Sequence, residues 1–123
     1  MKILIIDDDP TTCYLIESLL KTEKLETESV THVRGGDIIA LLNATRPDLL
    51  ILDFHLDGEQ SLKYIKDIRL DSKWGGLPVL VTSGIDHRQT AYDAGASGFV
   101  LKPFVWQEFL SQVRRLLKVG HST

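Results

Sequence analysis

Asp7–Asp8, Asp53 and Lys102 each follow a short apolar run, in "ILIIDDDP", "LLILD" and "GFVLKPF". Gathered in one place, such acids repel. Two unit charges ~4 Å apart interact by ~4 kcal/mol at an effective dielectric of about 20, which a fold of ordinary stability, ~5–15 kcal/mol, would feel. A divalent cation, a lysine or a raised pKa would offset the repulsion, and Lys102 is one such partner. An all-oxygen donor set, with no paired histidines or cysteines, suits a hard ion that keeps several waters. Mg²⁺ is the expected one. A carboxylate beside that ion and a lysine can also act as a nucleophile toward phosphorus, with both positive charges neutralising the phosphoryl oxygens. Ser83 or Thr82, in "PVLVTSG", supplies a hydroxyl for the attached group.

These residues meet only if distant segments converge. Residues 2–7, 26–31, 48–53, 77–83 and 97–102 have the character of strands. All but the second are near-continuous apolar runs, as expected for strands buried on both faces of a parallel sheet. The second, "ETESVT", is polar and alternating, which suits an edge. Between the strands the period is helical. Asp9 is placed as an N-cap and Pro10 in the first turn of a helix whose stripe is Cys13, Ile16, Leu19 and Leu20. Ile38, Leu41 and Leu42 mark a second helix, which must end before Pro47. Leu62, Ile65 and Ile68 mark a third. The segment from His87 to Ala94 is short and weakly patterned. Trp106, Phe109, Leu110, Val113, Leu116 and Leu117 mark the clearest stripe, the last.

Strand–helix alternation repeated five times predicts a doubly wound α/β fold with right-handed crossovers. The expected architecture is a flavodoxin-like three-layer sandwich whose five-stranded parallel sheet has the order 2-1-3-4-5. Ligands in such sheets bind outside the carboxyl ends of the strands, at the switch point of strand order. Asp7, Asp8, Asp53, Ser83 and Lys102 all fall at those ends.

At 123 residues the chain is expected to be a single domain over 1–123. A net charge of −3 and the lack of a Lys/Arg run give no reason to expect direct nucleic-acid binding. No apolar run approaches the ~18–20 residues of a membrane span, and the apolar start is too short for a signal peptide. The lone Cys13 excludes an intrachain disulfide framework and suits a reducing compartment, so the cytoplasm is the expected location. Cys13 is expected in the core. His32, His55, His87 and His121 lack metal-ligand spacing and are expected to be solvated. Trp106 is expected to anchor a helix face, with a partner surface as the alternative. No GxxxxGK[ST] or GxGxxG loop is present, which argues against a nucleotide-dependent ATPase or dinucleotide enzyme. A phosphatase with an aspartate nucleophile would carry a second acid where His55 stands.

Four segments, "ILIIDDDP", "PDLLILD", "PVLVTSG" and "AGASGFVLKPF", resemble the receiver domain of two-component response regulators, in order and over essentially the whole chain. The resemblance implies a phosphorylation switch and not a dedicated enzyme, although such a domain promotes its own phosphorylation and slow dephosphorylation. With a single domain expected over 1–123, it is expected to stand alone. It implies that Asp53 accepts a phosphoryl group from a sensor histidine kinase or a phosphotransfer protein. Asp8, Asp53 and the backbone carbonyl of His55 would hold Mg²⁺ directly, with Asp7 acting mainly through water. Lys102 would pair with the phosphoryl group, and the Lys102–Pro103 bond would be cis. Ser83 or Thr82 would move toward the phosphoryl oxygen, and Phe99 would rotate inward as the aromatic switch. The readout would be a changed surface for a downstream protein partner, with the domain a monomer or a phosphorylation-dependent dimer.

The sequence departs from the family in places. Four and eight residues past Asp53, where the family has proline and glycine, stand Asp57 and Ser61. A less rigid loop is expected, with an added negative charge. His55 occupies a position that influences how long the phosphoryl group survives, and a histidine there either assists or blocks the hydrolytic water. The stretch from the hydroxyl to "AGA" is about three residues short, so the fourth helix loses most of a turn or its preceding loop is tight. Counting from Pro78 favours Ser83 as the switch hydroxyl, with Gly84 as its small neighbour; Thr82 fits with one residue deleted. The altered loop and shortened helix keep one alternative open, a receiver-like interaction module that is never phosphorylated.

Overall fold

The computed structural model describes residues 1–120; His121 lies outside them. The elements in chain order are β1 (Lys2–Ile6), α1 (Pro10–Thr22), β2 (Glu26–Val30), α2 (Ile38–Thr45), β3 (Leu49–Asp53), α3 (Leu62–Leu70), β4 (Val79–Ser83), α4 (Arg88–Ala94), β5 (Gly98–Leu101) and α5 (Trp106–Gly120). A 3₁₀ turn at Arg34–Gly36 precedes α2. No helix among the described residues is long and apolar enough to cross a membrane.

The strands form one parallel sheet in the order β2-β1-β3-β4-β5, as the sequence predicts. The strands are shorter than predicted by one or two residues. Pro78, which has no N–H to give a ladder, precedes the first residue of β4. The polar β2 is an edge. The apolar β3 and β4 are buried along their whole length in the middle.

Alternation along the strands builds two cores. Ile3, Ile5, Leu49, Ile51, Leu80 and Val100 face Cys13, Ile16 and Leu20 of α1 and Phe109, Val113 and Leu116 of α5. Leu4, Ile6, Leu50, Leu52, Val79, Val81 and Phe99 face Ile38 and Leu42 of α2, Ile65 and Ile68 of α3 and Ala91 of α4. Each fully buried leucine or isoleucine is worth about 1.5–3 kcal/mol over leaving it exposed. The site inherits its placement from this parity. Asp53 is two residues past Ile51, Asp7 two past Ile5 and Lys102 two past Val100. The ladder continues to both flanking residues, since Asp7 N–H donates to Val30 O at 3.2 Å and Lys102 N–H to Ser83 O at 2.8 Å. The acids and the lysine therefore leave the sheet on the α1/α5 side.

The helix ends follow the sequence. Asp9 caps α1, its side chain accepting from Thr11 N–H, with Pro10 in the first turn. Asp37 caps α2 by accepting from Ala40 N–H. The helix α4 is short, seven residues, and stops at Gly95 in the left-handed region (φ 112°). Arg69 ties that end down: its guanidinium donates to the carbonyls of Gly95, Gly75 and Leu77 and to Ser97 Oγ.

The loop after β3, which lacks the family's proline, carries regular structure. His55–Leu56 and Glu59–Gln60 form a small antiparallel hairpin. Its two turn residues, Asp57 (φ 54°) and Gly58 (φ 80°), both have positive φ, as a type I′ Asp-Gly turn requires.

Candidate functional site

Asp7 is 2% exposed. Its Oδ1 accepts from Asp9 N–H at 2.9 Å, and its Oδ2 accepts from Lys102 Nζ at 2.8 Å. The next residue, Asp8, is exposed, and its Oδ2 accepts from Asp57 N–H at 3.3 Å. Asp53, 7% exposed, ends β3. Its carbonyl accepts from Ser61 Oγ at 2.7 Å, and its side chain lies 3.4 Å from Lys102 Nζ. One carboxylate oxygen from each of the three acids lies within 4.8 Å of the others. Lys102 reaches them from the end of β5, just before the cis Lys102–Pro103 bond.

The electrostatics follow from this crowding. Burial, and then the neighbouring charge of Asp7, push the Asp53 carboxyl up to about 6, against the opposing pull of Lys102. Burial alone would lower the Lys102 ammonium, yet its hydrogen bond to Asp7 and the charges of Asp53 and Asp7 outweigh it and raise its pKa. A single lysine thus leaves Asp53 partly uncompensated. The donor set is all oxygen and negatively charged, with one acid open to solvent, and it fits a hard divalent cation.

The remaining predicted residues are distributed around this cluster. Ser83 is buried, and its Oγ accepts from Ile85 N–H at 3.2 Å. Thr82 is buried in register with Asp53, and its hydroxyl has no hydrogen-bond partner among the described residues. The ring of Phe99 is 5% exposed, with the Arg88 guanidinium 5.6 Å from its centroid. His55 and His32 are exposed, as expected. His87 corrects its expectation: it is only partly exposed and stacks on the buried ring of Phe54 at 4.2 Å, because the short loop into α4 lays it on that ring. Trp106 is 37% exposed and packs edge-on against Phe109.

Ser61 and the Asp57 N–H were not legible as site residues. In the sequence Ser61 stands out only as the residue in place of a glycine; its hydroxyl ties the start of α3 to the end of β3. A serine just before an apolar helical stripe was the available signal.

Comparison with known proteins agrees with this geometry. Residues 3–114 match the family model of the response regulator receiver domain. The chain is 30% identical over 120 residues to the DNA-binding response regulator MtrA of Mycolicibacterium smegmatis, covering 95% of this chain and 50% of that protein. It is 32% identical over 122 residues to the response regulator MprA of Mycobacterium avium, covering 96% and 51%. The chain thus spans about half the length of these curated relatives. Among solved structures, it resembles the BeF₃-activated N-terminal receiver domain of Klebsiella pneumoniae RstA (TM-score 0.81, 26% identity, 95% of this chain and 98% of that one). It also resembles the signal receiver domain of a signal transduction histidine kinase from Syntrophus aciditrophicus (TM-score 0.86, 26% identity, 99% and 93%). Strand order, strand-end acids and profile match point the same way, and the chain belongs to the response regulator receiver domain family.

Proposed function

We propose that this chain is a phosphorylation switch in which Asp53 accepts a phosphoryl group, with Mg²⁺, from a sensor histidine kinase or a phosphotransfer protein. The observation that carries this reading is the cluster of Asp7, Asp8 and Asp53 with Lys102 reaching into it. An Asp53 carboxylate oxygen attacks phosphorus, the donor's bond to phosphorus breaks, and the leaving group departs with the electron pair. Asp53 must be ionised to attack, and a carboxyl at about 6 is ionised at neutral pH. Lys102, oriented by Asp7, stands ready to pair with the new phosphoryl oxygens. Mg²⁺, held by Asp8, Asp53 and the His55 backbone carbonyl with Asp7 alongside, would neutralise charge on those oxygens.

The switch would then pass from Ser83 to Phe99. Val81 and Phe99 are register partners, so Ser83, two residues on, shares the sheet face of Phe99. Movement of Ser83 toward the phosphoryl group would alter the surface around α4 and β5 that a downstream protein partner reads, as a monomer or by driving a dimer. The chain is in this reading a phosphoacceptor of the cytoplasm and not a dedicated enzyme. DNA binding is named for the Mycolicibacterium relative; with net charge −3 and no basic run, no direct nucleic-acid contact is proposed for this chain.

Incubation with radiolabelled acetyl phosphate tests the proposal. Label should appear only with Mg²⁺, be released by hydroxylamine as an acyl phosphate is, and be absent from Asp53→Asn. Unlabelled wild-type protein would favour the interaction module that is never phosphorylated.

A further inference from the structure

The hydroxyl of Thr82 is buried in the middle of the sheet and has no hydrogen-bond partner among the described residues. Thr82 is 1% exposed. An unmatched hydroxyl in such a place is costly, and a valine of the same shape would avoid the cost. Its position is specific. Thr82 pairs in register with Asp53 on one side and Val100 on the other. Register partners project to the same face, on strands ~4.8 Å apart. Thr82 therefore shares the α1/α5 face with Asp53 and with Lys102, two residues past Val100. Its neighbour Ser83 is turned to the opposite face, and its oxygen is already engaged by Ile85 N–H. The two adjacent hydroxyls thus approach Asp53 differently: Thr82 from the same face, and Ser83, the last residue of β4, over the carboxyl edge of the sheet.

We propose that Thr82 is a hydrogen-bonding residue for the phosphorylated form of Asp53, donating to its acyl oxygen. This rests on the reading of Asp53 as the phosphoacceptor. When one Asp53 oxygen forms its bond to phosphorus and the donor's leaving group departs with its electron pair, the other becomes a carbonyl oxygen. No bond to Thr82 changes. Lys102, 3.4 Å from Asp53 before reaction, is drawn to the more highly charged phosphoryl oxygens. The carbonyl oxygen left behind has lost most of its charge; one lone pair would stay on Mg²⁺, and a neutral hydroxyl on the adjacent strand is a matched donor for the other. On this account the unmatched hydroxyl of the resting state acquires its partner in the phosphorylated state. Ser83 remains the hydroxyl that couples to Phe99.

Beryllofluoride with Mg²⁺, a mimic of the acyl phosphate, separates this role from a structural one. Thr82→Val keeps the shape and removes the hydroxyl. Without beryllofluoride this variant should melt no lower than wild type. Its beryllofluoride affinity by calorimetry should fall roughly three- to tenfold, the size of one hydrogen bond, and Thr82→Ser should restore it to within about twofold. Equal affinity in wild type and Thr82→Val overturns the proposal, as does a serine variant no better than valine. If wild type itself binds no beryllofluoride and takes up no phosphate, the phosphoacceptor reading fails, and the role of Thr82 with it.

Discussion

Lys102 Nζ lies 2.8 Å from a carboxylate oxygen of Asp7, a residue 95 positions away in the chain. The same ammonium is 3.4 Å from Asp53. One cation on the last strand thus offsets two buried acids on the first and third, and it leaves the cluster short of positive charge. In the proposed function that shortfall would link folding, metal binding and phosphoryl acceptance, because each would change the charge around Asp53.

Removing the ammonium should therefore destabilise the fold. Lys102→Met leaves Asp7 and Asp53 facing each other. A broken buried ion pair costs more, but the Lys102 side chain is 25% exposed, so a loss of ~1–3 kcal/mol is expected. Urea denaturation in the presence of a chelator measures it. A variant as stable as wild type would show that solvent already screens the acids.

The raised Asp53 pKa sets a pH dependence with a definite sign. The unfolded carboxyl titrates near 3.8 and the folded one near 6. Between those values the folded state holds a proton that the unfolded state has released, so stability falls as pH rises through the window and is level above it. Metal-free Asp53→Asn lacks this loss. It should melt above wild type at pH 7, and the gap should close as pH falls from about 6 toward 4. Melting curves across this range in chelator check it; a gap that does not vary with pH would contradict the shift.

Mg²⁺ should raise the melting temperature at pH 7, with stabilisation approaching ~2.7 kcal/mol at a hundred times its Kd. Binding requires the Asp53 carboxylate, so the effect should fade as pH drops below about 6. Asp8→Asn should weaken it strongly. Differential scanning at several Mg²⁺ concentrations gives both numbers.

Much of this site was legible in the sequence because one physical rule governs it. Apolar runs that end in Asp7, Asp53 and Lys102 form parallel strands, and doubly wound sheets gather their carboxyl ends. Side-chain alternation then decides which end residues meet. It puts Thr82 with Asp53 and Ser83 with Phe99; counting from Pro78 favours Ser83 as the switch hydroxyl but says nothing of the face on which each hydroxyl lies. The hairpin after Asp53 was not legible. Its strands are two residues each, and Glu59–Gln60 carries no apolar alternation. The Asp57–Gly58 pair was its only signal. His87 was missed because its burial depends on Phe54, which is distant in sequence.

That hairpin yields a further prediction. Asp57 N–H donates to Asp8 from a left-handed conformation that proline cannot adopt. Asp57→Pro, although it restores the family's usual residue, should cost ~1–3 kcal/mol and weaken Mg²⁺ binding. Asp57→Asn, which tolerates that conformation, should stay within ~0.5 kcal/mol of wild type. Denaturation and Mg²⁺ titration of the two variants decide it; a proline variant as stable as the asparagine one would show that the turn does not matter.

The most direct test of the central claim is to locate the phosphoryl group chemically. Protein treated with Mg²⁺ and acetyl phosphate is reduced with borohydride, which converts an aspartyl phosphate to homoserine, and the digest is mapped by mass spectrometry. The account predicts conversion at position 53 alone, and only when Mg²⁺ is present. Conversion at Asp7, Asp8 or Asp57 instead, or at no residue, would contradict it.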